Sequence, residues 1–395
     1  MCKFASTTYH RQPFLMKYFI SAGEASGDLH ASRLTASLLQ QDPNAEIAFL
    51  GGDLMAEETG HSPIIHYRDM AFMGFSEVIR HLPKVLGNLG RAKKALADYA
   101  PDALILVDYP SFNLKLAEHA AKLGIPVYYY ISPKVWAWKE FRVKQIKRLV
   151  RHVYCILPFE PEFYRDRHEY EAVYVGNPSK EEVDEKLKHL PSRAEFLSRH
   201  NLPDRPILAL VPGSRKSEIK NNLMIMEQAA RRFPDYQTVI AGAPGIDLSY
   251  YGYYVTPGTP ILTDATFELM AHAEAALVTS GTATLECALV GTPQVVCYRG
   301  NGLKLTYSVM SKILKIPFVS LPNLIAGKEI VPEMLMHLCN PESVARQLND
   351  ILPGRPGHDN QLEGYRRMRT RLGDSPAAPT TAKAIIDDLK AIKRN

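Results

Sequence analysis

Apolar residues along this chain fall into short unbroken runs separated by amphipathic stretches. In the first half, residues 18–21, 46–50, 103–107, 126–131 and 153–157 read as strands. The run Ala103-Leu104-Ile105-Leu106-Val107 has no polar alternation, the mark of a strand buried on both faces. Residues 28–40 and 112–123 carry apolar positions at helical spacing, the second closed by Gly124, and a long amphipathic stretch covers 70–97. Residues 178–204 are charged, helical in propensity and punctuated by Pro191 and Pro203, as a passage between domains would be. A second series of strands follows at 207–211, 237–241, 275–278 and 294–297, with amphipathic helices beyond Pro341. Strand–helix alternation predicts parallel sheets with right-handed crossovers. The fold class is therefore α/β, with two doubly wound domains facing across a cleft. The expected boundaries are 16–180 and 205–350, then helices over 351–395 that could pack back on the first domain. Residues 1–15 read as a leader or tail, with Met1 or Met16 as the start.

In open α/β sheets ligands bind beyond the carboxyl ends of the strands, so the loops there carry the candidate chemistry. Ser280-Gly281-Thr282-Ala283-Thr284-Leu285-Glu286 joins an apolar run to a helical segment. Unpartnered amides in a first helical turn attract phosphate, and small residues admit it. Glu286, about one turn on, could accept hydrogen bonds from ribose hydroxyls. A serine-capped helix with a glutamate at capping spacing explains the same residues. Pro212-Gly213-Ser214-Arg215 offers backbone amides and a guanidinium fork, a second phosphate-type loop. Gly23-Glu24-Ala25-Ser26-Gly27-Asp28 lacks the dinucleotide fingerprint, and its acids would repel pyrophosphate. It reads as a lining for a polar sugar or as a capped turn. Asp108 ends the buried 103–107 run, where desolvation raises a carboxyl and makes it a better base; a helix cap is the other reading. Asn323 lies in a proline turn, and Asn177 where the chain leaves the first domain.

Composition narrows the class. A 46% apolar and 23% charged content is that of a globular protein, and about two domains fit 395 residues. The net charge of +5 suits an anionic substrate or membrane surface without demanding nucleic acid. Five scattered cysteines fit neither a disulfide framework nor a zinc site and point to a reducing cytoplasm. No run approaches the ~20 apolar residues that span a bilayer. No metal motif is present, and no metal or cofactor is expected. Residues 134–151 bring Lys134, Lys139, Arg142, Lys144, Lys147, Arg148 and Arg151 together beside Trp136 and Trp138, the chain's 2 tryptophans. A basic helix beside aromatics could meet an anionic bilayer, a phosphorylated lipid or nucleic acid, or be a solvated face. The stripe over 70–89, including Met73 and Phe75, reads as core packing or as an acyl-chain groove.

These motifs, in order, resemble the lipid-A-disaccharide synthase family of GT-B glycosyltransferases. The likeness rests on Gly23 to Asp28, Met73-Gly74-Phe75, Ser132-Pro133-Lys134-Val135-Trp136-Ala137-Trp138, and Leu157-Pro158-Phe159-Glu160. In the second half it rests on Pro212 to Arg215, Ser280 to Glu286, and Ser320-Leu321-Pro322-Asn323-Leu324. The resemblance implies two Rossmann-like domains, acceptor-binding then UDP-sugar-binding. It implies inverting transfer from UDP-2,3-diacylglucosamine to 2,3-diacylglucosamine 1-phosphate (lipid X), giving a β-1,6 disaccharide 1-phosphate and UDP. Asp108, Arg215 and Asn323 match residues essential in the family. Where many members have Gly-His, this chain has Gly176-Asn177-Pro178, so a histidine role there does not transfer.

Residues and resemblance together assign UDP-sugar binding to Gly213, Ser214, Arg215, Ser280, Gly281, Thr282, Thr284 and Glu286. They assign acceptor or lipid binding to Glu24, Ser26, Asp28, Met73, Phe75, Trp136 and Trp138. Asp108 is the expected base, with Arg215 and the helix terminus stabilising the departing UDP without a metal. The expected setting is the cytoplasmic face of the inner membrane, with no nucleic-acid partner and a homodimer left open. The alternatives are another UDP-sugar enzyme, of the UDP-N-acetylglucosamine 2-epimerase or muramyl-lipid transferase type, or a non-catalytic basic module for membrane or nucleic acid.

Overall fold

A computed structural model describes residues 15–70, 82–299 and 317–394. Met73 and Phe75, with most of the stripe around them, lie outside the described residues. The first sheet contains β1 (Lys17–Ala22), β2 (Glu46–Gly51), β3 (Ile65–His66), β4 (Ala103–Val107), β5 (Val127–Tyr130), β6 (His152–Cys155) and β7 (Ala172–Tyr174). Its order is β3-β2-β1-β4-β5-β6-β7, all parallel. The second contains β8 (Ile207–Val211), β9 (Gln237–Gly242), β10 (Ile261–Thr263), β11 (Ala275–Thr279), β12 (Gln294–Tyr298) and β13 (Glu333–Leu335). Its order, β10-β9-β8-β11-β12-β13, repeats the first topology, again all parallel.

Both sheets reverse direction of winding at one place: between β1 and β4 in the first, and between β8 and β11 in the second. A crevice opens at such a switch point, beyond the carboxyl ends of the strands. The loops after those four strands carry Glu24, Asp108, Arg215 and Ser280. Topology alone thus selects the same four loops as the sequence pattern.

β4, β8 and β11 are buried at every position, as unbroken apolar runs require. The helices Ala25–Gln41 and Ala377–Ile392 pack together over one face of the first sheet through Ala31, Leu34, Leu38, Ile385 and Leu389. Helices Leu82–Tyr99 and Pro110–Lys122 cover the other face. A further cluster joins the two halves: Trp136, Leu157 and Val183 meet Leu285, Leu289, Tyr365 and Met368. No described helix is long and apolar enough to cross a membrane.

The C-terminal helix is also held by a polar clamp. Tyr128 Oη donates to Asp388 at 2.6 Å, and Arg151 donates to it through Nε at 2.5 Å and Nη2 at 2.9 Å. The Arg151 bonds, aided by Tyr128, hold the Asp388 carboxyl at about 2. A carboxyl lowered on folding stabilises the native state above its unfolded value, and that contribution is lost as pH falls toward 2. Asp388→Asn is therefore expected to cost about 1–2 kcal/mol at pH 7 and almost nothing near pH 2. Thermal unfolding of both proteins across that range would check this, and an equal deficit at both ends would contradict it.

Candidate active site

Asp108 follows directly on buried β4, and the chain must turn sharply there. Asp108 and Tyr109 both adopt left-handed backbone, with φ of 45° and 47°. Two consecutive non-glycine residues in that region cost of order 1–3 kcal/mol each, so surrounding contacts must impose the conformation. They do. The Asp108 carbonyl accepts from Tyr129 Oη at 2.7 Å and Asn113 Nδ2 at 2.8 Å. Asn113 also joins β4 to β1, accepting from Ser21 Oγ at 2.7 Å. Tyr109 Oη donates to the Met70 carbonyl at 2.7 Å. Its ring lies so close to Gly23 that a Cβ there would stand 2.1 Å from it. The glycine after β1 thus makes room for the tyrosine after β4.

The carboxyl of Asp108 is partly buried. Burial pushes it above the ordinary carboxylate range, while the Lys134 charge and the Tyr109 amide pull the other way. Glu24 is raised too, first by burial and then by the Asp108 charge, with Arg215 opposing. Glu24 and Asp108 come from the first sheet and Arg215 from the second. Loops from both halves therefore share one electrostatic environment.

Ser26 is exposed in the first turn of the Ala25–Gln41 helix. Asp28, expected to line the site, is buried with both oxygens in use: they accept from Gly52 N at 2.6 Å and Leu54 N at 3.1 Å. It fixes the loop after β2. Trp136, expected to meet lipid, is an interior residue: it donates to Glu160 at 3.1 Å and packs edge-on against Phe159. Trp138 is exposed, with Lys139 4.1 Å from its ring centre. The basic stretch is not one helix but a loop, a 3-10 turn Glu140–Arg142 and a short helix Val143–Leu149.

In the second half, Gly213 has a φ of 108°, and a Cβ there would lie 2.4 Å from Glu218 Oε2. That oxygen accepts from Ser214 N at 3.0 Å and Arg215 N at 3.2 Å. Of the Gly213 and Ser214 amides expected for phosphate, that of Ser214 is already capped, as is the Arg215 amide. What the loop presents is the Arg215 side chain, 67% exposed, with Glu218 at 3.6 Å. The other loop is different: no side chain caps the Thr282–Val290 helix, and Gly281 and Thr282 are exposed. Ser280 Oγ donates to the Val319 carbonyl at 3.2 Å. Thr284 is buried and its hydroxyl donates to the Gly281 carbonyl at 2.7 Å, so it shapes the turn and does not face a ligand. Glu286 is partly buried, its carboxyl raised by burial, with Lys186 opposing.

Asn323 is fully buried. Its Nδ2 donates to the Val331 carbonyl and to Glu333, each at 2.9 Å, and its Oδ1 accepts from Ile330 N and Val331 N. Every polar position of the amide is taken within the protein, so Asn323 positions and does not touch substrate. Glu333 also accepts from Val319 N and Ser320 N, holding Val319 against Ser280. Asn177 is likewise internal, capping the Pro178–Lys188 helix.

Sequence reasoning missed Tyr129, Glu218 and Glu333, and quoted Glu160 in a motif without giving it a role. Signals existed for two. A tyrosine in a buried strand needs a partner for its hydroxyl, and Glu218 stands at capping spacing from Arg215.

Two tandem doubly wound sheets with their switch-point loops converging define a GT-B fold, the class of nucleotide-sugar glycosyltransferases and epimerases. A UDP-GlcNAc 2-epimerase from Neisseria meningitidis, bound to UDP-GlcNAc, aligns with TM-score 0.62 at 12% identity over 95% of this chain and 100% of its own. The glycotransferase of kitacinnamycin aligns with TM-score 0.60 at 12% identity over 95% and 100%. Within that class the chain belongs to the lipid-A-disaccharide synthase family, whose model, described as Lipid-A-disaccharide synthetase, matches residues 18–374. The lipid-A-disaccharide synthase of Myxococcus xanthus (strain DK1622) is 40% identical over 94% of this chain and 97% of its own. That of Syntrophus aciditrophicus (strain SB) is 37% identical over 92% and 95%. The chain is accordingly a glycosyltransferase.

Proposed function

We propose that this glycosyltransferase moves 2,3-diacylglucosamine from its UDP derivative to the 6-hydroxyl of 2,3-diacylglucosamine 1-phosphate. The convergence of Glu24 and Asp108 from one half with Arg215 from the other carries the reading. Asp108 takes the proton of the acceptor hydroxyl as its oxygen bonds to the donor's anomeric carbon. The bond from that carbon to the β-phosphate oxygen breaks, the oxygen keeps the electron pair, and UDP leaves with inversion. Arg215 and the open amides at Gly281 and Thr282 stabilise the charge on the leaving diphosphate, and Glu286 takes the ribose. Asn323 and Glu333 hold the neighbouring backbone in place. The protein works at the cytoplasmic face of the inner membrane. The exposed Trp138 and Phe141, 55% and 71% accessible, support contact with its surface.

UDP release from UDP-2,3-diacylglucosamine in detergent micelles, with and without the phosphorylated acceptor, tests this. Release that needs acceptor and yields a disaccharide phosphate is expected. Acceptor-independent loss of UDP, or epimerisation of the donor, would reject it.

A further inference from the structure

The cations of residues 134–151 do not form one surface. Arg148 pairs with Glu118, Arg151 with Asp388, and Lys147 donates to the His168 carbonyl. Lys134 and Arg142 stand apart, on Asp108's side. Among the described residues neither has a carboxylate at ion-pair distance. Arg142 Nη2 donates at 3.0 Å to Ser111 Oγ, three residues beyond Asp108, and its charge reaches Tyr129, whose hydroxyl holds the Asp108 carbonyl.

Lys134 is exposed at the head but rigid at the base. The loop before it is tied by Ser132 Oγ to Tyr164 Oη at 2.5 Å, and the loop after it by Trp136 Nε1 to the buried Glu160. Val135 beside it is buried in the core. The Lys134 carbonyl accepts from Ala137 N at 3.1 Å and Trp138 N at 3.3 Å. Its charge is felt at Asp108, yet among the described residues the two make no ion pair.

A fixed cation beside a catalytic carboxylate weakens that carboxylate as a base. The arrangement makes chemical sense if an anion arrives with the substrate. We propose that Lys134 and Arg142 form a phosphomonoester subsite, which reads the anomeric phosphate of the acceptor while Asp108 meets the hydroxyl at the other end of the same sugar. This rests on the transfer reaction proposed above. The loop 132–138 and its Glu160 anchor then serve to keep the phosphate-reading head one sugar away from the base. Charge-assisted bonds to phosphate come from a compact ammonium and a planar fork, which is the pair the site supplies.

The test compares two acceptors: 2,3-diacylglucosamine 1-phosphate and its 1-O-methyl glycoside, which lacks the phosphate. Lys134→Met and Arg142→Met are each expected to lower kcat/KM for the phosphorylated acceptor by about 10–100-fold, mostly through its KM. The preference for phosphorylated over methyl acceptor should shrink by the same factor, and Lys134→Arg should restore part of it. Lys144→Met, a neighbouring cation outside the subsite, should keep the preference. Equal losses on both acceptors would overturn the proposal. So would a loss seen only on vesicles of anionic phospholipid and absent in neutral detergent, because the cations would then read lipid headgroups. A wild-type protein that releases UDP with neither acceptor would instead overturn the transferase reaction itself, and this subsite with it.

Discussion

Asp108→Asn is expected to lower turnover by about 10²–10⁴-fold, the usual worth of a positioned general base, while leaving the protein folded. The amide keeps the shape of the side chain and can still accept from the Tyr109 amide, while the Tyr129 and Asn113 bonds that hold the strained turn reach the Asp108 carbonyl. Stability should not fall. Burial raises this carboxyl on folding, so ionised Asp108 opposes the fold, and that penalty grows as pH rises from the ordinary carboxylate value through the raised one. Removing the charge should leave the melting temperature at pH 8 unchanged or higher. The same shift fixes the pH dependence of the wild type. Activity needs the ionised form, so the acid limb of kcat/KM should lie above the range of an ordinary aspartate and disappear from the residual activity of the variant. Wild-type turnover in Asp108→Asn would remove Asp108 as base; a large loss of melting temperature would show that the residue is structural.

The sequence makes the frame of this site readable and its fastenings unreadable, for physical reasons. The strands that bear the site are buried on both faces, so they stand out as apolar runs ending at small or acidic residues. Those missed, β3, β7, β10 and β13, have two or three residues each, too few to show a period. The residues whose jobs differ from expectation share one cause. Asp28 is taken by the Gly52 and Leu54 amides, Trp136 by Glu160, and Asn323 by Glu333 and the backbone near Val331. In each case a residue type that could meet a ligand is satisfied inside the protein by a partner distant in sequence or set by the turn. Buried polar groups must find such partners, but sequence does not say which. The Arg215 loop is the intermediate case, because Glu218 at capping spacing was there to be read.

The Glu218 cap determines how much Arg215 matters. Had the amides of Ser214 and Arg215 been open, they would share the diphosphate charge and blunt the loss of one side chain. Glu218 occupies them, and as an anion it also adds to the negative charge nearby. The guanidinium is then the loop's sole cationic contribution to the leaving group, apart from the separate helix terminus at Gly281. Arg215→Ala should lower kcat by about 10²–10³-fold, as loss of a donor to a developing oxyanion does. Stability should change by less than about 0.5 kcal/mol, since the side chain is mostly exposed. Arg215→Lys keeps the charge but loses the planar fork, so it should recover only part of the rate. The Lys variant separates two explanations. Full recovery would mean that a point charge suffices and that geometry at the diphosphate is set by the Gly281–Thr282 amides. No recovery would mean that the two-point grip of the fork positions the phosphate for departure. Wild-type kcat in Arg215→Ala would place leaving-group stabilisation elsewhere and undo the role given to this loop.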